Sequence, residues 1–284
     1  MTVREQFEAH ASEFTATERR LSTTILLDYP FAGLEPIQIL AERAKTSAPS
    51  ISRFVTKLGF HSFQDFQRHL IEELKQVQTS PVERKDMSTP VGGAYLSSFL
   101  ARVETILDES TQTISEAQFA LVCDMLSDPR RSLYFIGGRM SDTLMQYLSR
   151  HLRQIREKVY HVPADPEIWP EYLLRMRARD ILFVADFRRY QPNLLKLART
   201  ASEERKAQII LMTDRWLSPV ARHASEILAV PINSNTLWDS YSGAFAINEA
   251  ILTNIADSHW ETTKQRIEHW DSMRIDFGEE NNDH

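Results

Sequence analysis

Apolar positions in the first 76 residues recur at helical spacing, and after residue 93 short apolar runs alternate with helical stretches. In PIQILAERAKTSAPSISRFVTKLGF (36–60), Ile37, Leu40, Ala41 and Ala44 fall at i, i+3, i+4 and i+7, and Ile51, Phe54, Val55 and Leu58 repeat that spacing. The pattern predicts two short amphipathic helices. Pro36 stands where a helix can begin. Ser47 is placed to cap the second helix, Pro49 fits its first turn, and Gly59 suits a left-handed end. So short a connection forces a steep crossing, the helix-turn-helix geometry. A further helix is predicted over 62–76, capped by Ser62, with Phe63, Phe66, Leu70 and Leu74 turned inward.

VQTSPVERKDMSTPVGG (77–93) holds two prolines and two adjacent glycines and is read as a linker, dividing the chain into regions 1–76 and 94–284. Beyond it, five short runs are apolar on both faces, as buried parallel strands are: Leu133–Ile136, Lys158–His161, Ile181–Ala185, Ile209–Met212 and Ile227–Val230. Helical stretches at 141–155, 167–177 and 191–205 separate most of them, and a short segment, 218–223, separates the last two. Two helices at 94–114 and 116–126 precede the first strand, and one long helix over 239–268 follows the last. The fold class is therefore an all-α helix-turn-helix domain followed by a three-layer α/β domain with a five-stranded parallel sheet.

Composition agrees. Only 8 of 284 residues are glycine, against a usual ~7%, which disfavours an all-β fold. Hydrophobic residues make up 42% and charged residues 25%, as in an ordinary globular chain. Cys123, the single cysteine, can form neither an intrachain disulfide nor a thiolate metal cage, which fits a reducing compartment. MTVREQFEAH lacks the apolar core of a signal peptide, and no run approaches the ~18 apolar residues of a membrane span. A cytoplasmic protein is expected. No HExxH, GxSxG or Walker loop occurs, and no histidine pair has metal spacing, so neither metal nor cofactor is expected.

The net charge of −6 gives no general attraction for nucleic acid, but the charge is uneven. Residues 43–64 hold Arg43, Lys45, Arg53 and Lys57 and no acid. Ser50, Arg53 and Lys57 share one face of the second helix, where arginine can read guanine edges and serine or the helix end can hold phosphate. The candidate DNA contacts are Lys45, Ser47, Pro49, Ser50, Ser52, Arg53 and Lys57. The alternative is a helical bundle with a solvated charged face.

Thr46-Ser47-Ala48-Pro49-Ser50-Ile51-Ser52-Arg53-Phe54, then Lys57-Leu58-Gly59-Phe60 and Phe63, Asp65 and Phe66, resemble the N-terminal domain of the RpiR/MurR family of bacterial transcriptional regulators. Thr15, Glu18, Arg19, Ile37, Leu40 and Ala41 also match it. Leu217-Ser218-Pro219-Val220-Ala221, with Ala224 and Glu226, resembles the late loop and strand of a sugar isomerase (SIS) domain. The resemblance implies a regulator of sugar catabolism genes whose SIS-like domain senses a phosphosugar or related metabolite.

Ligands of such sheets sit at the carboxyl ends of the strands. The first such loop is Gly137-Gly138-Arg139-Met140-Ser141; it is either a ligand cradle or a tight turn. The third-strand loop, Asp186-Phe187-Arg188-Arg189-Tyr190-Gln191-Pro192, departs from the family, whose pattern there is the serine- and glycine-rich Ser-x-Ser-Gly-x-Thr. Either Arg188 or Arg189 takes over the phosphate contact, or the phosphate site is lost and Asp186 binds sugar hydroxyls or a cationic group. Tyr190, Thr213 and Glu249 complete the candidate effector residues; the alternative for Thr213 is a helix cap, and for Glu249 a surface or interface residue rather than an isomerase-like base. No acid–base pair stands out, so an enzyme is not expected.

The leading expectation is a metabolite-responsive regulator that reads a palindromic operator as a homodimer or homotetramer. Phe99, Val103, Ile106 and Leu107 are candidates for the subunit seam or for the core. The competing readings are an SIS-type sugar-phosphate isomerase with a helical appendage, and an interaction module with a vestigial pocket.

Overall fold

Aromatic packing organises the N-terminal helices. The computed structural model describes residues 2–27, 29–78 and 81–273. Its first helices are α1 (Val3–Ala9), α2 (Ala16–Leu27), α3 (Phe31–Leu34), α4 (Ile37–Arg43), α5 (Ala48–Lys57), α6 (Phe63–Gln78) and α7 (Pro81–Met87), with a 3₁₀ turn at Ala11–Glu13. Phe7 stacks on Phe54 with ring centroids 5.5 Å apart, and Phe14 meets the same ring edge-on at 5.2 Å. Leu21, Ile25, Leu40, Ile51, Phe66 and Leu70 close the core around them. Two buried faces of α4 and α5 thus meet as their spacing predicts, and Ile37 is partly buried at the edge.

The turn between α4 and α5 is tight. Thr46 N–H donates to Ala41 O at 2.9 Å, and Lys45 takes a left-handed φ of 48°. That conformation is strained for a residue with a Cβ. Ser47 caps α5, and Gly59 follows it at φ +96°.

The 77–93 stretch read as a linker contains the end of α6 and all of α7. Proline misleads there: Pro81 opens α7, where its fixed φ suits the helix and no N–H bond is lost, and Val82–Met87 holds no further breaker. By backbone proximity the chain divides into two units, one of Met1–Pro90 with Arg215–Ser218 and Asn235–Trp238, the other of the remaining residues.

The second unit is built on β1 (Leu133–Gly137), β2 (Val159–His161), β3 (Ile181–Ala185), β4 (Gln208–Thr213) and β5 (Glu226–Ala229). All pairings are parallel, in the order β2-β1-β3-β4-β5. Alternation along each strand serves two cores. Leu133, Phe135, Ile181, Phe183, Ile210 and Met212 pack with α9 (Glu116–Ser127), α10 (Asp142–Ile155) and α13 (Ser242–Ser258). Tyr134, Ile136, Leu182, Val184, Ile209 and Leu211 pack with α11 (Trp169–Arg175) and α12 (Pro192–Glu203). This is the three-layer arrangement the continuous apolar runs require.

The single long helix expected over 239–268 is two, α13 and α14 (Trp260–Ser272), parted at His259 with φ −128° and ψ 38°. No proline or glycine marks the break; tertiary packing makes it, since both helices pack on α10. α8 (Tyr95–Thr113) buries Ile106, so that seam candidate belongs to the protomer core, while Leu96, Leu100 and Leu107 are exposed and Phe99 and Val103 are half-buried.

Candidate nucleic-acid interface and ligand site

The outward face of α5 is lightly tethered. Ser47 Oγ accepts the Ser50 N–H at 3.3 Å and lies 2.9 Å from Ser50 Oγ. Arg53 is exposed and its Nη2 reaches Ser50 Oγ at 3.4 Å. Pro49, Ser52 and Lys45 are exposed too. Small hydroxyls, one extended guanidinium and the first-turn N–H groups therefore share an open face, a composition that suits duplex contacts.

Lys57, also expected there, is drawn into the fold. Its Nζ donates to Glu13 O at 2.8 Å and to Glu18 Oε2 at 3.1 Å. Burial opposes ionisation of Glu18, but the Thr15 N–H and Lys57 outweigh it and hold the carboxyl below its usual range. Arg43 likewise pairs with Glu35 at 2.6 Å. All four cations are exposed, but Arg43 and Lys57 are paired with carboxylates, so the charge that Glu35 and Glu18 leave uncompensated is that of Lys45 and Arg53.

The loops after β1 and β3 lie side by side where the strand order reverses, the place where open α/β sheets bind ligands. Gly137 is required there: a Cβ would fall 2.5 Å from the Asp142 backbone. Gly138 N–H donates to Ala185 O and to Ser141 Oγ, each at 2.9 Å, and the buried Ser141 hydroxyl donates to Ala185 O at 2.6 Å. The β1 loop is thus closed onto the end of β3. Asp142 Oδ1 accepts from Gly137 N–H at 2.9 Å and lies 2.9 Å from His161 Nε2.

The β3 and β4 loops are as tightly knit. Asp214 is fully buried; its carboxylate accepts the Arg188 N–H and the Tyr190 hydroxyl, each at 2.6 Å. Thr213 Oγ1 donates to Asp186 O at 2.6 Å, and buried Asp186 accepts the Gln191 N–H at 3.3 Å. The Arg188 side chain is buried, with Nε 3.6 Å from Asp239 Oδ2. Burial, then the Asp214 carboxylate, pushes the Tyr190 phenol well above its ordinary range. Tyr241 is pushed up to about 12 by burial and by Asp239, Asp214 and Asp186, with Arg188 acting the other way. Phe187 meets Tyr241 with ring centroids 5.1 Å apart.

Among known proteins, residues 1–77 match the helix-turn-helix domain of the rpiR family, and residues 125–254 match the SIS domain. The chain carries an rpiR-family helix-turn-helix domain and a SIS domain. An uncharacterized HTH-type transcriptional regulator of Clostridium perfringens is 28% identical over 145 residues, 48% of this chain, and the match spans only 49% of that relative's length. The HTH-type transcriptional regulator HexR of Escherichia coli is 20% identical over 83% of this chain and 80% of its own. In fold, the sugar isomerase domain of an RpiR transcription factor from Sphaerobacter thermophilus matches 64% of this chain and all of its own, with a TM-score of 0.58 at 15% identity. The Vibrio vulnificus NanR protein, solved with ManNAc-6P, matches 95% of this chain and 97% of its own, with a TM-score of 0.54 at 16% identity.

The strand-edge cluster gathers Gly138, Ser141, Asp186, Arg188, Tyr190 and Thr213, all singled out by sequence, and adds Asp239 and Tyr241, which were not. Those two fell inside the stretch read as helix; the polar run PINSNTLWDS (231–240), which contains Asp239 and ends just before Tyr241, was the available signal. Arg139 and Arg189 are exposed, Arg189 at a left-handed φ of 68°. Glu249 is exposed in mid-α13, where Tyr147 hydroxyl donates to it at 3.2 Å. Among the described residues no three His, Cys, Asp or Glu side chains are grouped to hold a metal ion, and no helix is long and apolar enough to cross a membrane.

Proposed function

We propose that the protein is a DNA-binding regulator of carbohydrate-catabolism genes whose operator affinity is set by a metabolite held at the carboxyl edge of its SIS sheet. A DNA-reading head lies in residues 1–76 and an effector and assembly body from 94 onward. The observation that carries the reading is the face of α5, where Ser47, Pro49, Ser50, Ser52 and Arg53 stand clear of the core that Ile51, Phe54 and Val55 fill. In the major groove Arg53 reads a guanine edge, while Lys45, Ser47 and the helix N-terminus hold phosphates. Lys57 orients α5 through Glu18 and Glu13 rather than touching DNA.

The outward apolar residues of α8, Leu96, Leu100 and Leu107, fall at i, i+4 and i+11 on one face and support assembly as a homodimer or homotetramer. A two-fold assembly reads an inverted-repeat operator. Ligand and operator then bias each other through their unequal affinities for two arrangements of the assembly.

Sensing is favoured over catalysis by the place of Glu249, the residue matched to an isomerase base: it is exposed and held by Tyr147. The deciding experiment is a gel-shift titration on fragments recovered from genomic DNA bound by the protein. Arg53→Ala weakens specific binding by ~1–3 kcal/mol and relaxes one operator position. Unchanged affinity would reject the interface. Aldose–ketose turnover that vanishes in Glu249→Gln would replace the regulator with an enzyme.

A further inference from the structure

Resting on the reading of α5 as the recognition helix, we infer that Arg20, on α2, is a second point of attachment to DNA: it holds a backbone phosphate beside the groove that α5 enters. Charge accounting within the first unit singles it out. Arg43 pairs with Glu35, Lys57 with Glu18, Arg68 with Asp65 and Arg215 with Glu5. Arg20, Lys45 and Arg53 are exposed and, among the described residues, form no ion pair with a carboxylate. Arg19 shares that state, but no hydrogen bond among the described residues brings its side chain to the turn.

The three cations lie along one run of contacts. Arg20 Nη2 donates to Lys45 O at 3.4 Å. Two residues on, Ser47 Oγ lies 2.9 Å from Ser50 Oγ, and Ser50 Oγ accepts from Arg53 Nη2 at 3.4 Å. α2 therefore delivers a guanidinium to the turn between α4 and α5, next to the residues whose outward face is the proposed interface.

A carbonyl does not neutralise a guanidinium. At 3.4 Å the contact is long for a hydrogen bond, so it orients the group more than it stabilises the fold. Arginine has five N–H donors in a planar fork, and that fork fits two phosphate oxygens at once. Within the described residues only the one bond to Lys45 O occupies it. Position selects phosphate over base. In helix-turn-helix geometry the second helix fills the major groove and the helix before it crosses the sugar–phosphate backbone. Arg20 reaches the turn between those helices from outside both, so it meets the backbone rather than the base edges. It fixes register and orientation without reading sequence, the complement of Arg53.

The test compares full-length wild-type protein with Arg20→Gln and Arg20→Met by fluorescence-anisotropy titration over a range of salt. Two duplexes of equal length are used, a recovered operator fragment and an unrelated sequence. Each variant should bind both duplexes about eightfold more weakly at ~0.1 M salt, and the slope of log affinity against log salt should be shallower by about 0.9, the share of one phosphate contact. Arg20→Lys, which keeps the charge, should recover most of both losses. Circular dichroism checks that each variant stays folded. Arg53→Ala, run alongside, should lower operator affinity and narrow the gap between the two duplexes.

Folded Arg20→Gln and Arg20→Met proteins that bind both duplexes with unchanged affinity and slope would overturn the inference, and a loss in Arg53→Ala would then leave the recognition helix standing. A loss confined to the operator would overturn it too, because the guanidinium would then act through the placement of α5. Uniform loss in the Arg20 variants with no change in Arg53→Ala would uphold the phosphate contact and defeat the reading of α5 instead.

Discussion

The two regions use polar side chains in opposite ways. On α5 the polar residues stand outward and do little for the fold: Arg53 is exposed and donates to Ser50 Oγ of its own helix, and Ser52 is exposed. At the edge of the sheet the polar residues hold one another: Asp214 alone ties Arg188 and Tyr190, and Ser141 ties the β1 loop to β3. A surface that meets a large polyanion can leave its groups in water until contact. A site for a small molecule must hold its geometry before the ligand arrives, so its groups are buried and mutually satisfied.

This contrast can be broken by substitution. The largest expected effect is at the sheet edge. Asp214→Ala strands a buried N–H and a buried hydroxyl beside the Arg188 guanidinium, and should destabilise the protein by ~3–5 kcal/mol in urea unfolding. A loss under 1 kcal/mol would mean that water replaces the carboxylate and that the edge is not preorganised.

Arg53→Ala should leave unfolding within ~0.5 kcal/mol of wild type, as exposed positions do, although operator binding falls. A comparable loss in both measurements would erase the distinction. Lys45→Gly removes a strained left-handed residue from the turn and should stabilise the protein by ~0.5–1 kcal/mol, read as a small rise in thermal midpoint. A fall would place a helix-capping role on the Lys45 side chain.

The smallest signal is spectroscopic. Tyr241, pushed up to about 12, stays neutral in the folded protein above pH 10, where an unfolded tyrosine ionises. Its contribution to stability is therefore intact below pH 10 and lost between pH 10 and about 12. Phenolate absorbance should show this delayed titration, and Asp239→Asn should move it to lower pH. A normal titration would mean that neither burial nor these carboxylates hold the phenol neutral.

Much of the fold was legible because burial leaves simple patterns. Strands covered on both faces are continuous apolar runs, and the α4–α5 pair announces itself through Ser47, Pro49 and Gly59. Long-range partners were not legible. The run 43–64 looks acid-free, yet Glu35 and the more distant Glu18 pair with Arg43 and Lys57 and leave a smaller charge than the count implies. The break at His259 carries no local signal, and α7 was hidden by a proline that suits its first turn. At the proposed ligand site, Asp186, Arg188 and Tyr190 were visible as departures from the family's loop, but that Asp214 holds Arg188 and Tyr190 together needed the positions of two strands.

The Ala185 carbonyl, which receives both Gly138 N–H and the Ser141 hydroxyl, has a consequence for how such proteins diverge. With the β1 loop stapled in place by its own atoms, the proposed effector site leaves inherited changes in taste for one small molecule or another to the segments around positions 186, 214 and 239. Homologous chains sorted by the charge at those three positions should fall into groups that answer to different nutrients, whatever their operators.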